Sequence, residues 1–231
     1  MTERPIPFRD WEVRATLDGR KTQTRRVIKP QPPAEAESVC RQLYSQDAPK
    51  NDGAWTWWAG KPQTPITKPL FCPYGAPGGL LWVRETWRVH KSYDVLNAAR
   101  IYGAMGGDVA YCVDYLATHR NEDFWGRGRP SIHMPRWASR ITLRITDVRV
   151  ERLQDIEGQH PSESDAIAEG VRAIHHGDGD YYYSAFRDVP HPKNWSDPAD
   201  AFREVWNSIN GAGAWEANPW VWVVAFERVQ P

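Results

Sequence analysis

A helix-ending glycine followed by a dense run of cations and hydroxyls is the part of this chain best equipped for chemistry. Gly19-Arg20-Lys21-Thr22-Gln23-Thr24-Arg25-Arg26 sets a lysine, two threonines and three arginines together, and Asp18 is the only acid between Arg14 and Lys29. A threonine hydroxyl is a weak nucleophile at neutral pH and needs a neighbouring base to take its proton. A lysine can be that base where desolvation or nearby positive charge favours the free amine, and Arg20, Arg25 and Arg26 are candidate neighbours. In a straight strand Lys21 and Thr24 point to opposite faces. They can meet if Lys21 still belongs to the turn after Gly19, because glycine tolerates the left-handed backbone that such a turn needs. The residue types therefore allow a Thr–Lys acyl-transfer dyad. They equally describe the solvated edge of a basic strand.

The surrounding pattern says which elements must hold this run. Val13 and Leu17 at i, i+4 spacing predict a short helix over 8–19, closed by Asp18-Gly19. Lys21–Ile28, rich in Thr and β-branched residues, leaves the turn as a strand. From 29 to 79 the chain is loop punctuation (KPQPP, DAPKND, GAPGG) around Trp55, Trp57 and Trp58. This predicts an irregular insertion ordered by aromatic anchors rather than by regular elements. Leu80–Val89 is the next strand. A second insertion covers 90–135 and includes a possible strand, Asp108–Tyr115.

Residues 138–153 alternate most cleanly, with Ile141, Leu143 and Ile145 followed by Val148 and Val150. The one-residue slip at Thr146-Asp147 predicts a bulge or a turn between two strands. A short helix starts at Ser162, with an acid three residues on, and stops at Gly170. A third polar loop spans 172–196. The last helix has Asp197 as its cap, Pro198 at its first position and the stripe Phe202, Val205, Trp206, Ile209. Trp220–Val229 closes the chain as a buried strand. Strands outnumber helices and lack regular crossover helices, so an α+β chain with a small mixed barrel flanked by short helices fits better than a doubly wound sheet.

Composition narrows the class. The 231 residues carry 29 Lys+Arg against 29 Asp+Glu, which argues against a polybasic protein that coats nucleic acid non-specifically but leaves room for a local basic pocket. The three cysteines, Cys40, Cys72 and Cys112, form no CxxC pair and give neither a disulfide framework nor a zinc signature. With no export signal and no long apolar run, the expectation is a cytoplasmic protein with no membrane segment. His175-His176-Gly177-Asp178 lacks spaced partner ligands and reads first as a polar loop. No phosphate-cradling or dinucleotide motif is present, so no cofactor and no metal are expected.

GRKTQTRR resembles the GxKxxExR signature of the ASCH superfamily, whose members have a PUA-like β-barrel. It is closest to the GRKTxTxR variant of the small bacterial N4-acetylcytidine amidohydrolases, with Thr24 at the superfamily's usual glutamate position. LLWVRETW, ITLRITDVRVERLQDI with the helix ending AIAEGV, and FREVWNSINGAGAWEANPWVWVVAFERV resemble the family's later elements, in family order. They cover about half of the chain. ASCH proteins of phages and prophages share this arrangement. The resemblance implies a single PUA-like domain over 1–231, interrupted by insertions at about 29–79, 90–135 and 172–196, which have no counterpart in the small enzymes.

It further implies a catalytic set of Lys21, Thr24 and Glu169. Thr24 would be the nucleophile on the acyl carbonyl and Lys21 its base. Glu169 would orient or charge-balance the lysine, or relay a proton. Arg26 matches the signature's last position and suits a phosphate or base contact, or a salt bridge. Arg25 joins it as a phosphate contact, and backbone amides around Arg25, or a nearby arginine, are the candidates for stabilising an oxyanion. Trp87 and Trp220 border the strands that would line a PUA-like pocket and could stack on a base. Glu85 shares a strand face with Val83 and Trp87, so it must be paired if that face is inward; it is read either as a substrate contact or as half of a structural pair, with an arginine of the first strand as a partner. The expected activity is removal of an acyl group from the N4 amine of modified cytidine or cytosine. The alternatives are a non-catalytic module binding RNA or a modified nucleobase, or a ribonuclease.

Overall fold

The computed structural model describes residues 3–42, 51–61, 64–98, 100–101, 109–114, 124–158 and 164–229. In chain order these form β1 (Glu3–Pro7), α1 (Asp10–Leu17), β2 (Gln23–Val27), β3 (Ser38–Arg41), β4 (Trp55–Ala59), β5 (Thr64–Pro65), β6 (Leu80–Arg84), β7 (Trp87–Arg88) and β8 (Ala110–Tyr111). Then come β9 (Thr142–Arg152), α2 (Asp165–Ala168), β10 (Arg172–His175), β11 (Tyr181–Ser184), α3 (Pro198–Asn210) and β12 (Trp220–Val229). The chain is α+β, with sheets dominating and few helices.

The main sheet runs β1-β6-β9-β12-β2, antiparallel except for the β1–β6 pair. Its two outer strands are not joined by a ladder, so among the described residues the expected barrel does not close. The physical reason is the connection between them. α1 carries the chain from one edge of the sheet to the other and packs Val13 into the core. Pro5 and Pro7 blunt β1 as a pairing edge. The gap is spanned by a side chain, Arg26 Nη2 donating to the Pro7 carbonyl at 3.0 Å.

β9 explains how this curl is filled. It is one continuous strand, and its pairing with β12 shifts at Ala225/Phe226: Ile145 faces Phe226, Asp147 faces Ala225, and Thr146 is the extra residue. The slip in the sequence is therefore a bulge, not a turn. It returns Val148 and Val150 to the cluster that already holds Leu143 and Ile145. β12 is buried on both faces. Trp222, Val224 and Phe226 face that inner cluster, while Val221 and Val223 face a second one against Phe202, Val205 and Trp206 of α3. α3 starts where its cap predicts, with Asp197 Oδ1 accepting from Ala199 N at 2.7 Å and Pro198 in the first turn.

The insertions contain more regular structure than their sequence shows. The first carries a three-stranded sheet, β3-β4-β5, rather than loop alone. Trp57 still anchors it as expected, packing edge-on to Trp220 at 6.2 Å, and Trp55 does the same to Trp222 at 6.3 Å. In the second, the strand expected over 108–115 shrinks to the two residues of β8, which pairs with β7, and both ends of the expected span lie outside the described residues. The third holds the hairpin β10–β11. Ser162 also lies outside the described residues; the cap of α2 is Ser164, whose hydroxyl accepts from Ala166 N at 3.2 Å.

Trp57 is about 1 % exposed and belongs to the inner cluster, so Trp57→Ala is expected to lower stability by roughly 3–5 kcal/mol. Trp58→Ala, at a half-buried position of the same strand, should cost clearly less. Urea unfolding of the two variants checks this, and equal losses would show that the insertion is not part of the main core.

Candidate functional site

Lys21 lies before β2, in the turn that Gly19 allows at φ 75°. Its backbone N–H donates to the Ala15 carbonyl at 2.9 Å, which fixes the turn against α1. The side chain is wholly buried. Nζ donates to Glu169 Oε2 and to the Glu169 carbonyl, both at 2.9 Å. Glu12 Oε1 is further off at 3.7 Å, and the Phe8 and Trp11 rings flank the ammonium at 5.6 and 5.4 Å. Glu169 comes to this place as the last residue before Gly170, which takes φ 106° at the end of α2. A Cβ on Gly170 would lie 2.8 Å from Ala15 Cβ and 3.3 Å from Lys21 Cβ, so only glycine lets α2 pack this closely on α1.

The other Glu169 oxygen belongs to Arg25. Nη1 of Arg25 donates to Glu169 Oε1 at 3.3 Å, and Nη2 donates to Asp165 Oδ2 at 2.8 Å and Glu151 Oε2 at 3.1 Å. Arg149 completes the group, with Nε to Glu151 at 2.7 Å and Nη2 to Asp165 at 3.0 Å. The register explains the meeting: Val223 of β12 faces Arg25 of β2 on one side and Arg149 of β9 on the other, so both arginines stand on one face. Burial pushes the Asp165 carboxyl up, but the Arg25 hydrogen bond and charge, helped by Gln23 and Arg149, outweigh this and hold it below the usual carboxylate range.

Thr24 stands on the opposite face of β2, about 1 % exposed, and its hydroxyl has no hydrogen-bond partner among the described residues. It lines a cavity of about 100 Å³ between α1 and α3, with Trp11, Glu12, Arg25, Glu169 and Trp206 among the other walls. That is room for several waters or a small acyl group. β2 forms the floor as an edge strand. Phe226 N donates to the Thr22 carbonyl and Ile28 N to the Trp220 carbonyl, so the even-numbered residues of β2 face β12. The backbone N–H and C=O of Arg25 and Val27 consequently project from the free edge. Arg25 thus offers an amide donor one residue after the Thr24 hydroxyl, in the strand that lines the cavity.

Of the residues the sequence singles out, Thr24, Arg25, Arg26 and Glu169 line this cavity, and Lys21 joins them through Glu169 and Glu12. Arg26 is held by the Pro7 carbonyl and Glu12, 3.5 Å away, so it is a clasp between sheet edges. Three others lie elsewhere. Glu85 is paired as its strand face demands, but with Arg140 rather than an arginine of the first strand: Nε–Oε1 and Nη2–Oε2 are both 3.0 Å, and burial pushes its carboxyl up against that pairing. Trp87 is fully buried against Trp137 in a third cluster. Trp220 packs between Trp57 and the Arg152 guanidinium, 4.5 Å from its ring. His175 and His176 pack on Tyr181 and Tyr182. Sequence reasoning missed Glu12, Trp11 and the role of Asp165. Asp165 reads as a capping acid in the sequence, and only the fold shows Arg25 across from it.

No family model matches the chain, and no curated protein or solved structure matches it. Among the described residues no helix is long and apolar enough to cross a membrane, and no cluster of three or more His, Cys, Asp or Glu is placed to hold a metal ion.

Gly170→Ala should therefore destabilise the protein by about 1–3 kcal/mol through its positive φ alone, with overlap on Ala15 adding to it; urea midpoints measure this. The depressed Asp165 carboxyl sets a pH dependence of known sign. Its contribution is present above the ordinary aspartate value of about 3.9 and is lost as pH falls through the lower folded-state value. Asp165→Asn should be less stable than wild type at neutral pH, and the difference should shrink as the pH is taken below 4 or so. A difference that stays constant through the acid range would show that the pairing with Arg25 contributes little.

Proposed function

We propose that this chain is an amidohydrolase of the ASCH type that removes an acyl group from the N4 amine of a modified cytidine or cytosine, on a curled sheet akin to a PUA-like barrel. The observation that carries the reading is the buried Lys21–Glu169 pair, whose carboxylate residue lines a cavity that Thr24, with its buried and partnerless hydroxyl, lines as well. A free lysine amine has two N–H bonds and one lone pair. To act as base Lys21 sheds the third proton of its ion pair with Glu169; the two remaining N–H groups keep the bonds to Glu169 and the lone pair takes the proton of Thr24. Lys21 and Thr24 are not hydrogen-bonded to each other, and in this reading a bridging water or the seated substrate brings them into contact.

In the first step Thr24 Oγ1 adds to the acyl carbonyl carbon while its proton passes to Lys21 Nζ. The carbonyl oxygen takes the electron pair and accepts a hydrogen bond from the Arg25 amide at the free edge of β2. Collapse of this intermediate breaks the C–N bond, and the leaving amine takes the proton from Lys21. Water then adds to the Thr24 ester, losing a proton to Lys21. Its collapse returns the proton to Thr24 and releases the carboxylic acid. Glu169 fixes the lysine throughout, and Arg25 shares its charge, so that the carboxylate is not the lysine's alone.

One observation favours the non-catalytic reading, in which the same residues hold RNA or a modified base. Arg25, Lys21 and four carboxylates form a buried ion network, as a purely architectural cluster would. Chromatography of N4-acetylcytidine digests separates the two. Wild type should release cytidine, whereas Thr24→Ala, Lys21→Ala and Glu169→Gln should each lose about a hundredfold or more of kcat/KM, the range for loss of a positioned acid–base or nucleophilic group. Full turnover in folded Thr24→Ala would remove the nucleophile from the mechanism. A folded wild type without turnover on any N4-acylated cytosine or cytidine would leave the binding module.

A further inference from the structure

The acyl cavity is too small for a nucleoside, so the rest of the substrate must lie outside it, and the structure offers a place. Trp11 is a wall of that cavity and also of an open groove of about 450 Å³. Arg9 and Arg14 line this groove from α1 and the residue before it, and Phe186 closes it from the loop after β11. Both arginine side chains are exposed, and neither guanidinium has an ion-pair partner among the described residues. This contrasts with Arg20, Arg25, Arg26 and Arg149, each of which is tied to a carboxylate. One acid, Asp10, lines the groove, leaving a net positive charge. Phe186 is 43 % exposed and meets Trp11 edge-on, with ring centroids 6.1 Å apart at 81°. Trp11 Nε1 is buried without an acceptor, an unused donor on the wall that the two cavities share.

We infer that this groove holds single-stranded RNA flanking the target base, with Arg9 and Arg14 on phosphates and a neighbouring base stacked on Phe186. The inference rests on the amidohydrolase reading only for which nucleotide enters the cavity; the groove's own chemistry is that of a strand. Unpaired guanidiniums suit phosphate, and an exposed ring beside them suits any base face. A free nucleoside carries no phosphate and would leave both arginines idle. Phe186 and its loop belong to the third insertion, whose extra length thereby gains a role.

The test is fluorescence anisotropy with a labelled single-stranded RNA dodecamer containing cytidine, read at several salt concentrations. Wild type should bind with a marked salt dependence. The double variant Arg9→Ala/Arg14→Ala should bind more weakly, with the log–log salt slope reduced by about 1.4, or about 0.7 for each lost phosphate contact on a single strand. Phe186→Ala should weaken binding about tenfold through lost stacking and leave the slope unchanged. Thermal melting confirms that each variant is folded. No RNA binding by wild type, or binding insensitive to all three substitutions, overturns the inference. Binding is read without turnover, so the two readings fail separately. RNA binding with these dependences but no deacylation would remove only the enzyme, and deacylation of free nucleoside without RNA binding would remove only the groove.

Discussion

One carboxylate holds this site together. Glu169 divides its two oxygens between Lys21 and Arg25, and all three side chains are essentially removed from water. A buried cation without its partner costs several kcal/mol, so Lys21 and Arg25 can occupy these positions only when α2 delivers Glu169. That requirement fixes other parts of the chain. Gly19 has to turn the backbone so that Lys21 faces inward, and Gly170 has to let α2 approach α1. The bulge at Thr146 belongs to the same constraint. By shifting β9 one residue it sends Val148 and Val150 to the core and Arg149 and Glu151 to the Arg25 side. Without it the apolar and charged rows would change faces, and Arg25 would lose Glu151, one of the two carboxylates that hold its second nitrogen.

The same packing sharpens the meaning of Thr24. A buried hydroxyl without a partner costs about 1–3 kcal/mol, and valine would fill the space with no such penalty. The orphan alone proves little, because Thr56 in β4 has a buried, unpartnered hydroxyl too. The difference lies in the surroundings. Thr24 is one of the residues lining a cavity whose walls also include Glu169 and Arg25, a combination that a purely architectural position does not need.

How much of this could be read in the sequence follows from the range of each interaction. Features set by neighbours along the chain were legible. The Asp18-Gly19 stop, the Asp197-Pro198 start and the phase slip at Thr146 all appear where their spacing puts them. Features set by distant partners were not. Glu85 plainly needed a cation, but nothing local says that it is Arg140, 55 residues away. The strands β3, β4 and β5 hide because their residues are punctuated by proline and glycine, and only pairing across the insertion makes them a sheet. The tryptophans mislead for a related reason. Trp87 and Trp220, which invited a stacking role, are taken up by packing, while Trp11 attracted no notice and stands at the site.

Trp11 also shows how the insertions and the common core divide their tasks. The candidate chemistry comes from short-range elements, the turn after α1 and the end of α2, whose geometry tolerates little change because a buried ion pair is unforgiving of small displacements. Recognition does not need such precision. A ring and two guanidiniums at an open groove can accommodate a strand in several registers, so they can be supplied by a loop such as the one bearing Phe186. A single side chain serving as wall to both places, packed against Gly170 on one side and Phe186 on the other, couples them. The Trp11 ring also lies 5.4 Å from Lys21 Nζ, so one side chain is at once a wall of the groove and the aromatic flank of the candidate base.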